Sequence, residues 1–177
     1  CHSSGSVIMS TSSPAAAAPV ATISPDVLAA VYEDARRCYP EEACGLLYGP
    51  RQPAHCEAVR VCENQQNRLH ALDPQTFPRD ARTAYNLAGK DLLFLTRTLD
   101  AGESEPRVHV IYHSHVEVGA YFSAEDVHAA TFEGEPVYPV DYLVIDCRQD
   151  RVHGAKLFRF RAGQFVVVAE FPGQPAS

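Results

Sequence analysis

The chain has 177 residues, 46% hydrophobic and 21% charged, with a formal charge of −7 and a pI near 5.6. That length lets one hydrophobic core form without disulfides or structural metals. The acidic balance argues against nucleic acid or a membrane surface as partner while leaving a protein tail open.

No apolar run reaches the ~18 residues of a membrane span. The six cysteines contain no Cys-x-x-Cys pair, which disfavours a zinc ribbon, a redox motif and a disulfide framework. The internal cysteines read as small buried hydrophobes in a reducing compartment, which places the protein in the cytoplasm.

Residues 1–22, rich in Ser, Ala, Pro and Thr, are expected to be a disordered leader, with Cys1–Ile8 vector-derived and Met9 the native start. One folded domain is expected over 23–172, followed by a tail at 173–177. Ser24-Pro25 reads as an N-cap followed by proline at the first helical position. Val27, Leu28, Val31, Ala35 and Cys38 then fall at helical spacing until Tyr39-Pro40. EEACGLLYG is a strand closed by Gly49-Pro50, and AHCEAVRVCEN is its hairpin partner.

NQQNRLHALDPQTF carries turn signals around Asp73-Pro74. Residues 78–100 follow a helical pattern, with Gly89 as a break and Ala81, Ala84, Tyr85, Leu92, Leu93, Leu95 and Leu99 on the buried side. RVHVIYHSH is strongly β-biased, and SAEDVHAATF is a short helix. YPVDYLVIDC, GAKLFRF and QFVVVAEF complete a β-rich end, the last two joined at Arg161-Ala162-Gly163. The class is α/β (α+β), a mixed sheet with helices against it.

On a strand, residues two apart project from one face, so His113 and His115 converge while Ser114 points away. With a carboxylate returned by Asp126 from the next element, two imidazoles form a three-ligand zinc site whose fourth position stays open. Water in that position would have its pKa lowered to about 7. Ser123 and Asp126 equally fit a helix cap, and both roles can coexist. His109 stands about 13 Å along the strand from His113, too far to share an ion. His128 faces elsewhere, and His55, His70 and His153 read as solvated.

Glu42-Ala43-Cys44-Gly45, then His113-Ser114-His115, then Ser123-x-x-Asp126 together resemble the motif of the JAMM/MPN+ metalloproteases, in their small bacterial stand-alone form. The resemblance covers roughly 24–170. It implies a mainly antiparallel sheet flanked by helices, in the JAMM/MPN (cytidine-deaminase-like) architecture. It also implies Zn2+ on His113, His115 and Asp126, with Glu42 as general base and Ser123 on the oxyanion. The implied reaction is hydrolysis, by a metal-activated water, of the amide after the C-terminal Gly-Gly of a ubiquitin-like or sulfur-carrier protein.

Glu41 competes for the base role on position alone, and the resemblance selects Glu42; it also makes Cys44 a packing residue rather than a nucleophile. The family usually has proline where this chain has Val116 and Phe122. The loop VEVGAYF is therefore the expected seat of specificity, with Glu117, Tyr121 and Phe122 as substrate contacts. The alternatives are a non-catalytic MPN scaffold and a zinc hydrolase of a small molecule, with no nucleic acid and no membrane in any of the three.

Overall fold

A computed structural model of the protein describes residues 18–177. The readings on residues 1–17, including the start at Met9, lie outside the described residues. The elements run β1 (Thr22–Ile23), α1 (Pro25–Cys38), β2 (Cys44–Gly49), β3 (His55–Cys56), β4 (Ala58–Cys62), α2 (Gln66–Leu72), α3 (Gly89–Asp100) and β5 (Arg107–Val116). There follow α4 (Ala124–Ala130), β6 (Thr131–Phe132), β7 (Glu135–Pro136), β8 (Asp141–Cys147), β9 (Val152–Arg161) and β10 (Gln164–Pro172).

Six strands form one sheet in the order β10-β9-β8-β5-β2-β4, antiparallel except for the parallel β5–β8 pair. This is the mixed, mainly antiparallel sheet with flanking helices expected from the sequence. Its centre, β5, is buried along almost its whole length, as its run of β-branched and aromatic residues requires.

The two faces of the sheet carry separate cores. On one, the apolar stripe of α1 (Val27, Val31, Tyr32, Ala35) packs on Leu47, Val110, Tyr112, Leu143 and Ile145. A buried hydrogen bond from Tyr112 Oη–H to Asp34 Oδ2 (2.8 Å) ties α1 to the central strand. On the other face Leu46, Ile111, Tyr142 and Val144 meet Leu95 of α3, Ala130 of α4 and the partly buried Tyr85 and Leu87. A register shift between Leu47 and Tyr48 puts Val108 on the same face as Ile111. Gly45 pairs with Tyr112, and a Cβ there would collide with the tyrosine ring, which is why the strand carries glycine at this point.

Several expectations are corrected. Residues 18–22, assigned to the leader, are in place: Thr22 and Ile23 pair in parallel with His55 and Cys56, and Ala21 is buried. At the other end, Gln174 of the expected tail donates its N–H to Val152 O (2.9 Å). Ser24 precedes Pro25 as expected, but its hydroxyl makes no capping bond.

Gln66–Leu72, not read as an element, is a helix whose first N–H groups include one satisfied by Asn64 Oδ1 (3.0 Å), and the turn signalled at Asp73-Pro74 follows its end. The expected 78–100 helix exists only from Gly89. Between 78 and 88 the backbone polar groups are taken by distant partners: Ala81 O by Glu42 N–H (2.7 Å), Ala81 N–H by Asn67 Oδ1 (2.8 Å), and Ala84 O by Asn64 Nδ2 (3.0 Å). A helix would need those same groups for its own ladder. Leu93, expected inside, is exposed. Among the described residues no helix is long and apolar enough to cross a membrane.

Candidate metal centre and its cleft

β2 and β5 pair with Cys44 opposite His113. The backbone continues this pairing one step further, since Ser114 N–H donates to Ala43 O (3.0 Å) and the buried Ser114 Oγ accepts from Ala43 N–H (2.8 Å). Extending the antiparallel register another residue sets Glu42 opposite His115. Ser114, the residue between the histidines, thus points away from them and pins the segment that carries the carboxylate. Glu42 is held from both sides, its N–H by Ala81 O and its C=O by Asn64 Nδ2 (3.0 Å).

The third ligand position comes from the start of α4. Ser123 Oγ accepts from Asp126 N–H (3.1 Å), and Asp126 Oδ2 accepts from Ser123 N–H (2.9 Å), a complete capping box. The cap therefore aims the Asp126 carboxylate, so the two readings of this pair describe one geometry. Because Ser123 Oγ accepts at the cap, its O–H remains able to donate into the cleft.

His113 Nε2 and His115 Nε2 are 3.2 Å apart, and Asp126 reaches them with Oδ1 at 3.1 Å and Oδ2 at 3.2 Å respectively. All three side chains are buried, and they form a group able to hold a metal ion. Ligands at about 2.0–2.2 Å from a tetrahedral zinc stand about 3.3–3.5 Å from one another, so spacing and donor chemistry both fit such an ion. His115 Nδ1 lies 3.1 Å from Gly119 O. A carbonyl only accepts, so Nδ1 carries the proton and Nε2 is left as a lone pair for a metal. The ring of His113 is stacked on Tyr85 (centroids 4.5 Å, planes 20° apart), and its Nδ1 is buried without a protein partner.

The electrostatics are those of a site that favours a cation. Burial raises the Glu42 carboxyl to about 9, Asp126 adds to the rise, and Arg79 opposes it. Burial would also raise Asp126, but His113, His115 and the Ser123 N–H outweigh it and hold that carboxyl well below the usual range. Burial lowers His113, with Asp126 opposing. The Tyr85 phenol is pushed well above its ordinary value by burial.

A cleft of about 220 Å³ opens over the centre. Glu42 (5% exposed), His115, Ser123 and Asp126 line it, together with Val116, Val118 and Tyr121 from the end of β5 and the loop after it, and with Arg79, Arg82, Thr83 and Glu125. A wider groove of about 730 Å³ runs behind Glu42 along β4, lined by Val61, Cys62, Glu63 and Asn64 among others. Glu41 lines that groove rather than the cleft and accepts a hydrogen bond from Asn67 Nδ2 (2.9 Å), whereas Glu42 lines both. Burial raises the Cys44 thiol strongly, leaving it neutral within the core. Cys38, Cys56, Cys62 and Cys147 are free thiols as well.

The loop contacts divide. Tyr121, 48% exposed, sets its ring edge-on to His115 (4.9 Å) at the cleft mouth. Phe122 does not face the cleft: it packs between Tyr142 (5.3 Å), Phe158 (5.5 Å) and Phe165 (4.2 Å), because burying its ring there completes the core of that face. Glu117 is also turned away. Its Oε1 accepts from Tyr39 Oη–H (2.7 Å) and Gln149 N–H (2.6 Å), so it braces the loop against α1 and the β8–β9 turn.

His55, His70, His109 and His153 stay out of the site, but are partnered rather than merely solvated. His109 meets Pro50 O (2.8 Å), His55 meets Thr22 Oγ1 (2.6 Å), His70 meets Phe77 O (2.6 Å) and His153 meets Asp150 (2.8 Å). Arg79, Arg82 and Tyr85 were not read as site residues. Pro78 and the turn at Asp80, whose Oδ1 accepts from Arg82 N–H (2.9 Å), were the signals that this stretch is not helical.

Residues 24–157 match the family model of prokaryotic homologs of the JAB domain. CysO-cysteine peptidases of Mycobacterium tuberculosis and Mycobacterium bovis are each 31% identical to the chain over 144 residues, covering 81% of it and 85% of the relative. Two proteins solved in solution share the fold. One, from Desulfitobacterium hafniense, has a TM-score of 0.56 at 21% identity, covering 82% of this chain and 88% of its own. The other, from Salinibacter ruber, has a TM-score of 0.53 at 22% identity, covering 84% and 88%.

Proposed function

The chain belongs to the prokaryotic JAB-domain family, and from that premise we propose that it is a zinc-dependent peptidase acting on the C-terminal tail of a sulfur-carrier protein. The observation that carries the reading is the placement of the buried Glu42 in one cleft with His115, Ser123 and Asp126, at a three-donor set able to hold a metal. A zinc ion held by His113, His115 and Asp126 would supply Lewis acidity to the carbonyl and acidify water.

Glu42 takes the proton from the attacking water and hands it to the departing amine. Burial favours the protonated form of its carboxyl, the form it holds between the two transfers, and the Arg79 guanidinium opposes that bias. Ser123 donates its O–H to the oxygen that becomes negative as water adds to the carbonyl carbon. The C–N bond then breaks, the carbonyl carbon keeps the added oxygen, and the amine leaves with the proton. An extended tail has room along the free edge of β4, where the wider groove runs up to Glu42. A non-catalytic scaffold would have no need of this donor set, the buried carboxylate and the open cleft together.

The test is Glu42→Gln, an isostere that removes only the proton carrier. The variant should retain one metal per chain by elemental analysis and lose cleavage of a fusion joined through Gly-Gly. Full activity in that variant would move the base role elsewhere.

A further inference from the structure

The two histidines of the donor set are not fixed alike. His115 has its second ring nitrogen tied, Nδ1 lying 3.1 Å from Gly119 O. His113 has no such tie: its side chain is wholly buried, and Nδ1 has no protein partner. The sheet explains why. The residues beside His113 on the same face are Cys44 of β2 and Val144 of β8, and neither side chain carries an oxygen. A metal-ligating imidazole is normally aimed by a hydrogen bond at its other nitrogen. Something else must set the plane of this ring.

What lies against it is Tyr85, whose ring stacks on that of His113 with centroids 4.5 Å apart and planes 20° from parallel. The tyrosine is itself held from outside the centre, for it packs on the core of that sheet face. The next residue, Asn86, is tied to the start of α2, its carbonyl accepting from Gln65 N–H (2.9 Å) and its side-chain amide donating to Gln66 Oε1 (2.8 Å). Resting on the metal assignment above, we propose that Tyr85 is a positioning residue of the metal centre, its ring fixing the plane of His113 in place of the missing hydrogen bond. A flat ring against one face stops rotation about the Cβ–Cγ bond of His113, a soft torsion that would carry Nε2 out of line with His115 Nε2 (3.2 Å) and Asp126 Oδ1 (3.1 Å). Stacking also suits the loaded state, since a metal draws electron density from the imidazole and the face of a phenol ring is electron-rich. Both effects come from the ring face, not from the hydroxyl.

The experiment compares the zinc affinity of wild type, Tyr85→Phe and Tyr85→Leu, measured on metal-free protein by competition with a chromogenic chelator. Tyr85→Phe keeps the face and should bind zinc as wild type does. Tyr85→Leu keeps an apolar side chain without the face, and its Kd should rise roughly tenfold, the low end for losing a group that orients a ligand, with one zinc per chain still bound at excess metal. Denaturant unfolding of the metal-free forms is the control, because a purely structural role would lower the stability of Tyr85→Leu and leave its Kd unchanged. That result, or equal weakening in Tyr85→Phe, overturns the proposal. Should Tyr85→Leu fail to fold, Tyr85→Met, flexible enough to fill the same space, is read by the same criteria. Wild-type protein that takes up no zinc removes the metal assignment and this inference with it, whereas a tight wild-type site unmoved in Tyr85→Leu removes this inference alone.

Discussion

The wall that carries His115 and Asp126 and the wall that carries Arg79 and Arg82 line the same cleft but are held by different means. The first rests on regular structure, with β5 paired on both sides and α4 closed by its own capping box. The second has no ladder of its own between 73 and 88. It hangs on the side-chain amides of Asn64, Gln66 and Asn67, which bond to its backbone at Arg79, Ala81, Ala84 and Asn86. Repeating backbone bonds hold chemistry to a narrow geometry, whereas a wall tied by a few side chains can be reshaped without disturbing the sheet.

The largest effect should come from breaking the first wall. His115→Ala removes one of three donors, so bound metal should fall to near zero by elemental analysis and cleavage to background. Stoichiometric metal in that variant would refute the ligand assignment.

Next is the carboxylate between the walls. Glu42 titrates from an ordinary 4.5 to about 9 on folding, so the native state holds its proton more tightly than the unfolded chain does. That contribution to stability is complete below about 4.5 and is lost as pH rises toward 9. Metal-free protein should lose up to about 1.4 kcal/mol per pH unit from this group. His113, lowered by burial, acts with the opposite sign near its ordinary 6.5, so the comparison belongs between pH 7 and 9. Denaturant unfolding should show a shallower slope for Glu42→Gln than for wild type, and equal slopes would contradict the shift.

Asn64→Ala breaks the second wall. It deletes the bonds from Nδ2 to Glu42 O and Ala84 O and those accepted by Oδ1 from Gln66 and Asn86 N–H. At about 0.5–1.5 kcal/mol each, the loss should be about 2–6 kcal/mol, or a fall of roughly 4–24 °C in Tm. Metal content should hold while kcat/KM drops, and loss of the metal would show that the walls are not separable. The smallest effect belongs to the loop. Tyr121→Ala should change stability by less than about 0.5 kcal/mol and raise KM a few-fold. Phe122→Ala, a core deletion only one residue away, should cost about 2–3 kcal/mol.

The contrast between the walls also marks how far the sequence could be read. A two-residue period puts both histidines on one face, and a Ser three residues before an Asp builds a cap, so these parts are local and legible. Glu42 was legible only through its resemblance to a known motif, since Glu41 is equally acidic and only the β2–β5 register separates them. Residues 78–88 misled because Ala81, Ala84 and Tyr85 do repeat at helical spacing. Apolar spacing says which residues are buried, not which partner takes the backbone hydrogen bonds. Glu117 and Phe122 misled for a related reason: a loop has no fixed period from which to tell inside from outside.

The sequence by itself determined the central strand and the convergence of two imidazoles and one carboxylate able to hold a metal, because these follow from neighbours within a few residues. Only the tertiary structure decided that Glu42 and His115 line one cleft, that Phe122 belongs to the core and Tyr121 to the cleft, and that Arg79 and Arg82 line that cleft as well. Each of those depends on strand register or on hydrogen bonds between residues far apart in the chain, and no local spacing encodes them.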